Sequence, residues 1–207
     1  MKQKLCPWCL LTVGLGSVAG ASDLPSDLRS HPRACRHDST KQDGAQAADA
    51  KPLPLLVKQA IALLPFIDDG QVVILPRTSD LSVYLVSWGY SRDTASQTVA
   101  EVAPLAEFTI DHHFPIFING GSPHYRRILA SWEHGKSPDE AARVLASDIY
   151  HEYRHAACGE EELDALAAQI CLLKRWRHEG LLKIADPYIA AKESRRRSLA
   201  KSAIKSR

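Results

Sequence analysis

The stretch "HEYRH" sets His151, Glu152 and His155 at a spacing that one turn of helix converts into a metal site. Side chains at i and i+4 leave the same helical face, so both imidazoles can reach one tetrahedral Zn2+. The intervening glutamate at i+1 is then directed at the activated water as a general base. The chemistry expected of such a set is metal-assisted hydrolysis. Glu152 takes a proton from the water, the water attacks a polarised carbonyl, and Glu152 passes the proton to the leaving amine. The competing reading is a charged helix end whose histidines sit in solvent.

The flanking sequence supplies the helix that this chemistry requires. "SPDEAARVLASDIYHEYRHAACG" opens with Ser137 as N-cap, Pro138 at the first helical position and Glu140 two residues later, the pattern of a capping box. It closes on Gly159, which suits the left-handed position after a helix. "EEELDALAAQICLLKRW" then predicts a second helix with Leu163, Leu166, Ala167, Ile170 and Leu173 on one face. The expected result is an antiparallel pair. A carboxylate early in the second helix would face His155, and Asp164 would lie nearer His151 and accept its second ring N–H. Asp148, one turn before His151, could orient it or sit in solvent.

"HEYRH" followed by "EEELDALAA" resembles the gluzincin metallopeptidases, in which an HExxH helix precedes a helix bearing ExxxD or ExxAD. The likeness covers roughly residues 144–173. It implies His151 and His155 as metal ligands, Glu152 as catalytic base, Glu160 as third ligand and Asp164 as the partner behind a ligand. The upstream "FPIFING" is similar to the edge strand that aligns a peptide in such enzymes. Only four residues separate His155 from Glu160, a turn as tight as that of the metzincin pattern, by which Glu161 or Glu162 would be the ligand. Glu160 is preferred because it lies closest to the apolar stripe and one turn before Asp164. The fold class expected is α+β. It would be a minimal zincin-like domain, with a small β-sheet including an edge strand, packed on the HExxH helix and a following antiparallel helix.

Upstream elements fill out that picture. "LPLLVKQAIALLPF" predicts a helix over 53–66, stopped at Pro65. "QVVILP" and "LSVYLVSW" predict two strands of a hairpin about the turn-like "RTSD". "SRDTASQTVAEVAPLAE" predicts a short helix, and Phe114 to Gly120 a strand. His112 and His113, with His124 and Tyr125, are candidates to donate to a developing oxyanion. Trp88, Trp132 and Trp176 are expected in the core or at its edge.

The ends differ from the middle. A chain of 207 residues with 45% hydrophobic and 24% charged residues has room for one core, and a net charge of +2 is too small to argue for a nucleic-acid surface. Lys2 and Lys4, the apolar run to Ala21 and the small residues Ala19-Gly20-Ala21 predict a signal peptide over 1–21, with an uncleaved membrane anchor as the alternative. "CPWC", Cys6 to Cys9, lies too near the start to have the strand and helix of a redox motif. Residues 22–52 read as a flexible linker, 53–190 as the metallopeptidase domain and 191–207 as a basic tail that could touch an acidic envelope surface. The function expected is an exported, secreted or periplasmic zinc metallopeptidase acting on a peptide or protein substrate. The alternative is a zinc-binding or structural module without turnover.

Overall fold

A computed structural model of the chain describes residues 53–111, 113–135, 137–183 and 186–205. The segments read as signal peptide and linker, together with His112, lie outside them. Within them the fold is α+β: seven α-helices and a three-stranded mixed sheet. In chain order these are α1 (Leu55–Ala62), β1 (Val72–Leu75), α2 (Leu81–Ser87), α3 (Arg92–Val102), β2 (Glu107–Ile110), β3 (His113–Asn119), α4 (Pro123–His134), α5 (Pro138–Cys158), α6 (Glu162–His178) and α7 (Asp186–Lys205).

The sheet order is β1-β3-β2, with β3 parallel to β1 and antiparallel to β2. "FPIFING" is therefore the central strand, not an edge, and β2 is an edge. A strand buried on both faces reads as a continuous apolar run, and Ile116, Phe117 and Ile118 are all fully buried. Phe117 packs with Leu75, Leu81, Leu85 and Phe108 on one face. Alternation along the strand turns Ile116 and Ile118 to the other face, where α5 crosses β2 and β3. Phe117→Ala would cost about 3–5 kcal/mol.

The second strand of the expected hairpin is instead the helix α2. Leu81, Val83 and Leu85 alternate as a strand would, but Leu81 and Leu85 are also one helical turn apart. Both are fully buried while Val83 is 71% exposed. The Asp80 carboxylate accepts from the Arg77 N–H, in a 3-10 turn over Thr78–Asp80 that leads directly into α2. Parallel pairing of β1 with β3 also demands a crossover, and α2 and α3 lie in that connection.

The helix pair forms as the sequence predicts. Gly159, at φ 61° and ψ 27°, caps α5 in the left-handed conformation. Hydrogen bonds join His155 to Glu162 near the turn and Asp148 to Gln169 farther along, so α5 and α6 run antiparallel. Ser137 is the N-cap of α5, but it makes no side-chain cap hydrogen bond. The Glu140 carboxylate is drawn instead to the main-chain N–H of Lys183. Trp176 is buried, and Trp88 and Trp132 are half-buried. The basic tail does not begin as a separate segment: residues 191–205 continue α7.

Candidate metal centre

His151 and His155 project from the last two turns of α5 towards the start of α6. Their Nε2 atoms lie 3.1 Å apart, and each is 3.2 Å from Glu162 Oε2. Three atoms able to give a lone pair thus converge on one point. His155 Nδ1 lies 2.6 Å from the main-chain oxygen of Glu160. Only a protonated nitrogen can donate to that carbonyl, so in the neutral ring Nε2 carries no proton and keeps its lone pair. Two imidazoles and a carboxylate are donors of the kind that could hold a zinc ion.

The three-residue group is therefore His151, His155 and Glu162. Glu160 is not brought to the two imidazoles, because Arg154 holds its carboxylate from Nε at 3.0 Å and again through Nη2. Glu161 is the N-cap of α6 and Glu162 its first residue, which turns the Glu162 side chain inward across the helix pair. Asp164 is exposed and makes no hydrogen bond to His151, whose buried Nδ1 has no hydrogen-bond partner among the described residues.

Charge follows the same geometry. Burial raises the Glu162 carboxyl, but the hydrogen bonds that His151 and His155 donate when their rings are protonated, with the charges of His151 and Arg195, outweigh it and hold the group well below the usual carboxylate range. Arg195 of α7 reaches Glu162 Oε1 at 2.8 Å. Burial lowers His155, yet Glu162, the Glu160 carbonyl and Glu152 raise it above an ordinary histidine. Glu152 Oε1 stands 4.0 Å from His151 Nε2. Burial pushes its carboxyl up, against the opposing pull of His151 and His155.

These groups open onto a cavity of about 760 Å³, walled by residues 104–109, α4, α5, the start of α6 and α7. Residues 107–109 of β2 thus form part of its lining. Beside the triad, Asp148 ties four helices together. Its Oδ1 accepts from Gln169 Nε2 of α6 at 2.7 Å, from Lys192 Nζ of α7 at 2.9 Å and from the Tyr188 hydroxyl of α7. Its Oδ2 lies 3.0 Å from His124 Nε2 of α4. Burial would raise Asp148, but the Lys192 charge and the His124 and Tyr188 hydrogen bonds hold it well below the usual range.

Of the four donor candidates, His124 lines the cavity. Tyr125 is buried in the core, and His113 starts β3 on an exposed face. Sequence reasoning missed Glu107, Gln169, Tyr188, Lys192 and Arg195. Three of these carry a readable signal. Tyr188, Lys192 and Arg195 stand at i, i+4 and i+7, one face of a helix hidden inside a polar composition.

Comparison of the chain with protein-family models, with curated proteins and with solved structures gives no match in any of the three. The chemistry of the site rests on its own residues. No helix among the described residues is long and apolar enough to cross a membrane.

Proposed function

We propose that this protein is an exported zinc-dependent peptidase that uses His151, His155 and Glu162 as metal ligands and Glu152 as general base. The observation that carries this reading is the convergence of both Nε2 atoms and Glu162 Oε2 within 3.2 Å of one another in the lining of a cavity. A zinc ion held by such a set supplies Lewis-acid polarisation of a carbonyl and activation of a water. The protein's own groups do the rest. The Glu160 carbonyl fixes the His155 ring, Arg195 steadies Glu162, and Glu152 moves the proton from the attacking water to the leaving amine.

The substrate in this reading is an extended peptide laid along β2, the edge strand whose residues 107–109 line the cavity, in place of the central strand β3. An edge strand offers unpaired main-chain donors and acceptors that an added strand can take up. The export half of the proposal rests on the sequence of residues 1–21. The test is cleavage of unstructured peptides by the zinc-loaded chain, followed by mass spectrometry. Cleavage that a chelator abolishes and zinc restores supports the proposal, and cleavage indifferent to chelator contradicts it.

A further inference from the structure

Lining the same cavity is a second group of ligand-type side chains that the hydrolytic reading leaves unused. We propose that Glu107, His124 and Asp148 form a second divalent-cation site on the cavity wall, so that the fully loaded protein carries two ions. Each of the three offers a ligand atom within 4.8 Å of the other two. They come from β2, α4 and α5, three separate elements that the fold brings to one place.

Local structure explains each position. Phe108 belongs to the core on the α2 and α3 side of the sheet, so alternation along β2 sends Glu107 to the opposite face, towards α5. Asp148 spends Oδ1 on Gln169, Tyr188 and Lys192, which leaves Oδ2 turned to His124. The His124 ring lies parallel to Tyr188, 8° between planes with centroids 6.0 Å apart, which sets the direction of its Nε2.

Two observations point from this geometry to a cation. Glu107 Oε1 is enclosed and has no hydrogen-bond partner among the described residues, although an unmade interaction at a buried carboxylate is costly. The charges are also out of balance. Glu107 and Asp148 face a single ammonium, Lys192, and Glu152 adds a third carboxylate nearby. A divalent ion both partners Glu107 and cancels the excess charge, and Lys192 is engaged on the other oxygen of Asp148. One imidazole with two carboxylates suits Zn2+, which takes imidazole readily, or Mn2+, which favours the carboxylate oxygens.

The test is metal stoichiometry. The full chain is stripped with chelator, equilibrated at micromolar free Zn2+ and, separately, Mn2+, and analysed by inductively coupled plasma mass spectrometry. The parent is expected to hold two zinc ions per chain. Glu107→Gln and His124→Ala should each hold one, with far-ultraviolet circular dichroism unchanged. His155→Ala should also hold one, by losing the other site. A parent that holds one zinc, unchanged in Glu107→Gln and His124→Ala but lost in His155→Ala, overturns the second site and leaves the first. A single ion lost in His124→Ala but kept in His155→Ala supports the second site and removes the basis of the peptidase reading. A parent that binds neither ion overturns both.

Discussion

The imidazole Nδ1 of His155 sits 2.6 Å from the main-chain oxygen of Glu160, and this contact decides which ring nitrogen faces the cavity. Glu160 thus serves the site through its backbone, while its carboxylate is occupied by Arg154. Two residues later, the first turn of α6 delivers Glu162 to both histidines.

Replacing the two glutamates separates these roles. Glu162→Ala should weaken zinc binding by more than ~100-fold, beyond the 10–100-fold typical of an outer partner. Glu160→Ala keeps its carbonyl and gives up only a partly exposed ion pair, so zinc binding should hold and stability should fall by about 1 kcal/mol or less. Competition against a chromogenic chelator measures the first, and urea unfolding the second. Equal losses in the two variants would contradict the assignment of Glu162.

Arg195 stands behind Glu162 at 2.8 Å from a half-exposed position. Arg195→Ala should therefore cost about tenfold in zinc affinity and under about 1 kcal/mol in stability. The same chelator competition reports it. Unchanged affinity would mean that α7 does not orient the ligand.

Asp148 accepts hydrogen bonds from α6 and α7 and is paired with His124 of α4. Asp148→Ala strands the Lys192 ammonium and the Gln169 amide together, so metal-free protein should lose about 3–5 kcal/mol in urea unfolding. Asp148→Asn, which keeps an acceptor, should lose less. A loss under about 1 kcal/mol for alanine would show that the four helices hold without this junction.

If a peptide pairs with β2, removing a main-chain donor there should weaken its binding. The Ala106 carbonyl accepts from the Asn119 N–H, and antiparallel alternation turns the groups of residues 107 and 109 outward. Thr109→Pro removes one outward N–H, so KM should rise about fivefold, the worth of one hydrogen bond, with zinc content unchanged. An unaltered KM would move the substrate off this edge.

The α+β class, the helix carrying "HEYRH" and its antiparallel partner were legible because strong local signals mark them. Pro138 opens α5, Gly159 closes it, and the apolar stripe of α6 has one face. What was not legible depended on direction in space. Glu160, Glu161 and Glu162 are consecutive, and each step turns a side chain by about 100°, so which carboxylate meets the two imidazoles hangs on where α6 begins. The segment 81–87 fits both a strand and a helix, and only its burial against Phe117 selects the helix. β2 has four residues, too few to show a period, and without it neither the central place of β3 nor the inward turn of Glu107 can be read. The face of α7 carrying Tyr188, Lys192 and Arg195 was obscured by the arginines around it.

The central claim is hydrolysis assisted by Glu152, and the most direct measurement compares the zinc-loaded parent with Glu152→Gln on a mixture of unstructured peptides, with metal content determined on the same samples. The account predicts equal zinc in both proteins, cleavage by the parent, and a rate at least ~100-fold lower in the variant, the lower end of what a general base contributes. Zinc retained by both with no cleavage by the parent, or cleavage undiminished in Glu152→Gln, would contradict it. The first of those results would instead support the reading of a zinc-binding module without turnover.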